Sequence, residues 1–144
     1  MKKIFIIDVT NRDGVQTAKL GLSKLEKTML NIYLNEMGVF QSEFGFPTTR
    51  HESLYLQANL ELAAMGVLKP IRLGGWIRAQ VDDVKTAFKL VPEIKHLNLS
   101  VSTSNQMIQG KFQGSILTGQ RLLNTGDPPV DRTMGTFTVT TSPG

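Results

Sequence analysis

The sequence predicts an α/β chain: about four βα units forming half of a parallel barrel, followed by an irregular tail. Three observations lead there. Apolar runs of strand length alternate with helix-patterned stretches across short joints from residue 3 to residue 102, the mark of parallel βαβ units. In the last of those strands His96, Asn98, Ser100 and Ser102 share one face, and Leu97, Leu99 and Val101 share the other. An apolar face packed on helices with a polar face turned inward favours a barrel over a doubly wound sheet. After Phe112 the periodicity stops.

The elements follow in order. Residues 3–9, built on Ile4-Phe5-Ile6-Ile7, read as a buried first strand. It runs into the charge-dense loop Asp8-Val9-Thr10-Asn11-Arg12-Asp13-Gly14-Val15-Gln16. Strand ends of this kind are where α/β proteins place their chemistry. Ser23-Lys24-Leu25-Glu26 has the form of a capping box, in which the Ser hydroxyl and Glu carboxylate satisfy free N–H groups at a helix start. Leu22, Leu25, Met29, Ile32 and Leu34 then recur as an apolar stripe, and Gly38 suits the left-handed position that closes a helix. Residues 39–44 are a second strand. Thr49-Arg50-His51-Glu52 is a second capping box, opening a helix that reaches Ala64 and is closed by Gly66. A third strand begins at residues 70–73, a third helix covers 81–90 and stops before Pro92, and a fourth strand covers 94–102.

Residues 1–113 therefore read as a partial barrel domain and residues 114–144 as a separate tail. Of the thirty residues from Ser115 onward, seven are Thr, four Gly and three Pro, a composition without the apolar density to bury itself. Pro128-Pro129 breaks any helix, and residues 136–140 are at best an orphan strand. The tail is either a flexible extension or, the preferred reading, sequence that a frameshift or fusion has put in place of the second half of the barrel. Half a barrel has no natural stopping point here.

The 144 residues can bury a core, but a whole eight-unit barrel needs about 200 or more. Absence of Cys excludes a disulfide scaffold and thiolate metal sites and fits a reducing compartment. No apolar run approaches a membrane span, so a cytoplasmic protein without a membrane partner is expected. The net charge of +4 comes from scattered Lys and Arg with no basic block, and no nucleic-acid partner is expected.

Arg12 and Asp13 set a guanidinium beside a carboxylate at the end of the first strand. Alone, they would be a surface ion pair in a turn. Gly14 is read as relieving the backbone at the bend. Gln16 either hydrogen-bonds a ligand or holds the loop. Phe40-Gln41-Ser42-Glu43-Phe44-Gly45-Phe46-Pro47 closes the second strand, and His51 just beyond reads as a surface neighbour of the helix cap. In the third strand Gly74-Gly75 either leaves room for substrate or makes a simple turn, and Arg78 follows Trp76. Ser100-Val101-Ser102-Thr103-Ser104-Asn105-Gln106-Met107 ends the fourth, with Ser104 suited to cap the next helix.

Taken in this order, the motifs N-R-D-G-V-Q, E-x-G-F-P, I-R-A and S-x-S-T-S-N resemble the signature of the DRE-TIM metallolyases over residues 3–112. That group includes the isopropylmalate, citramalate, homocitrate and Re-citrate synthases and the hydroxymethylglutaryl-CoA lyases. The texture is closest to the Re-citrate synthase and homocitrate synthase-like branch. The resemblance implies the N-terminal half of a TIM (β/α)8 barrel and a Claisen-type acyltransferase condensing acetyl-CoA with a 2-oxo acid. It implies a divalent metal ion (Mg, Mn or Zn) as Lewis acid on the ketone, with Asp13 as a metal ligand. Arg12 would stabilise the charge on the enolate or alkoxide. Glu43 would position the oxo acid or a proton-transfer water, or else only orient Arg12. Gln16, Arg78 and Ser104 would bind substrate, and the parent enzyme would be a homodimer.

One departure stands out. The family's metal site needs a His-x-His pair, and this chain has only His51 and His96, in separate elements. The alternatives are a family C–C lyase, a non-catalytic fragment, or a basic nucleic-acid-binding module. The chain alone is expected to be inactive and prone to self-association, because half a barrel leaves the edges of its first and fourth strands open.

Overall fold

The computed structural model describes residues 4–102 and the strand at 135–140. The elements run β1 (Ile7–Asp8), a 3-10 turn (Gly14–Gln16), α1 (Lys24–Glu36), β2 (Gln41–Gly45), α2 (Arg50–Ala64), β3 (Arg72–Arg78), α3 (Val81–Leu90), β4 (His96–Val101) and β5 (Gly135–Thr140). One sheet holds the five described strands in sequence order, with β1 to β4 parallel to one another and β5 antiparallel to β4. Four consecutive parallel strands with helices between them are the N-terminal half of a TIM barrel.

The core lies between the sheet and its helices. Phe44, Ile77 and Leu97 from the strands meet Leu34, Leu56 and Ala87 from the helices. Burying a large apolar side chain of this kind contributes about 1.5–3 kcal/mol. α1 starts as its sequence dictates. The Glu26 N–H donates to Ser23 Oγ and the Ser23 N–H donates to the Glu26 carboxylate. Those bonds hold the Glu26 carboxyl below its ordinary pKa. Gly38 (φ 75°) and Gly66 (φ 91°) close α1 and α2 in the left-handed region.

Several expectations need correction. The first strand is not buried: it pairs only at Ile7–Asp8, and Ile4, Phe5, Ile6, Ile7 and Val9 are exposed. β1 is the sheet's edge, with β2 on one side alone. The apolar stripe makes up only part of the buried face of α1. Leu34 is buried and Ile32 packs on the core, but Leu25 and Met29 are exposed, and the polar Lys27 and Asn31 are buried beside Leu34. The second capping box does not form. Thr49 caps α2 without a side-chain hydrogen bond, because Glu52 is engaged by Lys27 Nζ (2.9 Å) and the Phe46 N–H (2.9 Å). Residues 136–140 are not an orphan strand. They lie within β5, which covers the edge of β4 that was expected to be open.

Gly74 and Gly75 are neither a turn nor spare room. Both lie inside β3, where a Cβ on Gly74 would sit 2.6 Å from Gln41 Nε2 and one on Gly75 would sit 2.7 Å from Ile94 Cδ1. The missing side chains let neighbours close in on the strand. Gly14 likewise has no left-handed backbone. It leaves space for Thr10, whose Cγ2 would be 3.3 Å from an added Cβ.

Candidate active site

The loop after β1 is wound around one carbonyl. The N–H groups of Arg12, Asp13 and Gly14 all converge on the Val9 oxygen at 2.8–3.2 Å. Asp8 is consumed locally, accepting from the Thr10 N–H and hydroxyl at 3.0 Å each. Asn11 is fully buried and anchors the loop to α1, donating to the Lys27 carbonyl and to Asn31 Oδ1 at 2.9 Å each. With Asn11 fixed outward, its neighbour Arg12 reaches across the mouth of the half-barrel.

There the guanidinium is held from several sides. Arg12 Nε donates to Glu43 Oε2 at 2.8 Å and Nη1 to Asp13 Oδ1 at 3.0 Å. Its Cζ lies 4.5 Å from the centre of the Trp76 ring. Glu43 is only 3% exposed, and its second oxygen accepts from Asn98 Nδ2 at 2.8 Å. Asn98 Oδ1 in turn accepts from Gln41 Nε2 at 2.9 Å. Strand periodicity explains the grouping: Gln41 and Glu43 on β2 lie two residues apart and share a face, and β3 lies between β2 and β4. Gly74, paired with Glu43 in the register, leaves the space that the Gln41 amide fills.

This arrangement unites Arg12, Asp13 and Glu43 and separates the other candidates. Gln16 is exposed at the end of the 3-10 turn. Arg78 closes on Asp83 instead, with Nε to Oδ2 at 2.8 Å and Nη2 to Oδ1 at 2.7 Å. That fork is the one a substrate carboxylate would take. The pair holds the Asp83 carboxyl below its ordinary pKa and raises that of Arg78. Ser104 lies outside the described residues. The motifs did not single out Gln41, Asn98 or Trp76. Strand alternation placed Asn98 on the inner face, and the lone Trp beside Arg78 was the available signal for Trp76.

The histidines take no part. His51 is exposed at the start of α2. His96 opens β4 beside a cavity of about 650 Å³ lined by residues of α2, β3 and the α3–β4 joint, none of them in the Arg12 cluster. Its Nδ1 is buried without a hydrogen-bond partner, and burial, then Arg72 and Lys95, lower its pKa. Among the described residues no three His, Asp or Glu converge on a point that could hold a metal ion. Asp13, 60% exposed with one oxygen on Arg12, is a single carboxylate. One such ligand does not hold a divalent ion against water, so these residues by themselves do not fit the metal centre that the resemblance implies.

Comparison with known proteins identifies the family of the half-barrel. The family model described as HMGL-like matches residues 3–120. The chain is 75% identical over 114 residues to the citrate (Re)-synthase of Dehalococcoides mccartyi (strain CBDB1), covering 79% of this chain and 28% of that protein. It is 32% identical over 99 residues to the homocitrate synthase subunit alpha of Clostridium pasteurianum, covering 69% of this chain and 35% of that one. A 2-isopropylmalate synthase 2 of Caldanaerobacter subterraneus subsp. tengcongensis is 32% identical over 112 residues, covering 78% and 28%. The chain thus spans about a third or less of each of these relatives. The half-barrel and the match across residues 3–120 lead to one conclusion: the chain belongs to the HMGL-like family.

Proposed function

We propose that this chain supplies the Arg12–Asp13–Glu43 part of the active site of a Claisen-type synthase that condenses acetyl-CoA with a 2-oxo acid. The observation that carries the reading is the clamp on Arg12. Glu43 and Asp13 claim one N–H of Nε and one of Nη1, leaving the Nη2 edge for an oxygen that gains negative charge. Glu43, buried and with both oxygens accepting, acts through Arg12 as its orienting partner. Asp13 would be one metal ligand of a set whose other members the rest of the parent enzyme supplies. The 75% identity to a citrate (Re)-synthase supports citrate as the product.

The test is a chimaera: the Dehalococcoides mccartyi enzyme carrying residues 3–113 of this chain in place of its matching segment. Asp13→Ala should abolish condensation and lower metal content. Arg12→Ala should cut kcat/KM by about 10²–10³-fold with metal content unchanged. The unmodified 144-residue chain should release no CoA above background. Full activity in the Arg12 or Asp13 variant would overturn the assignment.

A further inference from the structure

Trp76 is the only tryptophan of the chain and sits near the end of β3, opposite Asn98 in the register. It shares the inner face with Gly74, two residues before it, whose missing Cβ faces Gln41 and Asn98. One side of its environment is the Arg12 guanidinium, 4.5 Å from the ring centre. Another is Phe46, whose ring lies 5.3 Å away at 60°. The main chain at Phe46 is anchored, since its backbone N–H donates to the Glu52 carboxylate.

Hydrogen bonds to Glu43 and Asp13 set the direction of two Arg12 N–H groups, but they do not stop the guanidinium plane from tilting about that line. A flat aromatic face does, because a cation is drawn toward the negative face of the ring and stacks on it. We propose that Trp76 is the positioning residue that sets the plane of Arg12, with Phe46 as its backing, so that the Nη2 edge meets the reacting oxygen. This rests on the reading of Arg12 as the group that meets developing charge. The carboxylates give Arg12 its neighbours, and the indole gives it a fixed orientation.

Two readouts test it. In the 144-residue chain every tryptophan photon comes from Trp76, so Arg12→Leu should shift and change the intensity of its emission, while Arg12→Lys, which keeps a cation, should shift it less. In the chimaera, Trp76→Leu should lower kcat about tenfold with KM for acetyl-CoA unchanged, because the loss is in transition-state orientation. Trp76→Phe, which keeps an aromatic face, should recover most of that loss. Emission unchanged by Arg12→Leu, or equal kcat in the Leu and wild-type proteins, would overturn the proposal. A Trp76→Leu protein that fails to fold leaves the Phe variant and the emission data to decide. If Arg12→Ala retained activity, the reading of Arg12 itself would fail. If Arg12→Ala lost activity while Trp76→Leu kept it, only the role of Trp76 would fail.

Discussion

β2 carries a polar network on each of its faces, and the two differ in whether they close. On the outer face Ser42 donates to Asn31 Oδ1 at 2.8 Å, and Asn31 joins Asn11, Tyr55 and Asn59 between the sheet and helices α1 and α2. Lys27 continues it, pairing with Glu52 at 2.9 Å and lying over the Tyr55 ring. Burial pushes the Tyr55 phenol well above its ordinary pKa. These groups satisfy one another, Asn11 Oδ1 being the one side-chain atom of this network left buried without a partner. On the inner face Gln41, Asn98 and Glu43 form an equally buried chain, but it ends in Arg12 and the exposed Asp13. Burial and hydrogen bonding alone thus do not mark a site. What separates the two networks is the end that the inner one turns to solvent.

The largest expected effect is on the closed network. Asn31→Ala removes the acceptor of Asn11 and Ser42 and the donor to Tyr55 and Asn59. Leaving those groups buried and unpaired should cost about 3 kcal/mol or more, read from denaturant unfolding. A cost below about 1 kcal/mol would mean that water replaces Asn31 and the network is not closed. A smaller effect belongs to Arg78, an arginine whose fork is already filled. The Asp83 carboxyl has a folded-state pKa below its ordinary value of 3.8, owing first to its hydrogen bonds from Arg78. The stability it contributes is therefore complete above the unfolded value and is lost as pH falls through the folded one. Asp83→Asn should flatten stability against pH below about 3.8. An unchanged acid profile would show that the pair is not formed.

How much of this was legible depends on which residues short-range rules govern. The Ser23 box, Gly38, Gly66 and the alternation of β4 are decided within a few residues, and each was readable. Motifs in order singled out Arg12, Asp13 and Glu43, which the fold brings into contact. The polar half of the buried face of α1 was not readable, because Asn31 and Lys27 are buried by partners 24 to 28 residues away in sequence. For the same reason the Thr49–Glu52 spacing misled: a local box lost to a distant lysine and to a backbone N–H. Exposure of β1 reflects its place at the sheet's edge, which an apolar run does not reveal.

The central claim is that the inner network anchors the Arg12 Nε–H on Glu43. Nitrogen-15 NMR of the arginine side chains tests it most directly in the 144-residue chain. The account predicts one Nε–H resonance, assigned to Arg12 by substitution, that exchanges slowly with solvent and becomes fast in Glu43→Leu. An Arg12 signal that exchanges as quickly as that of the exposed Arg50 would contradict it.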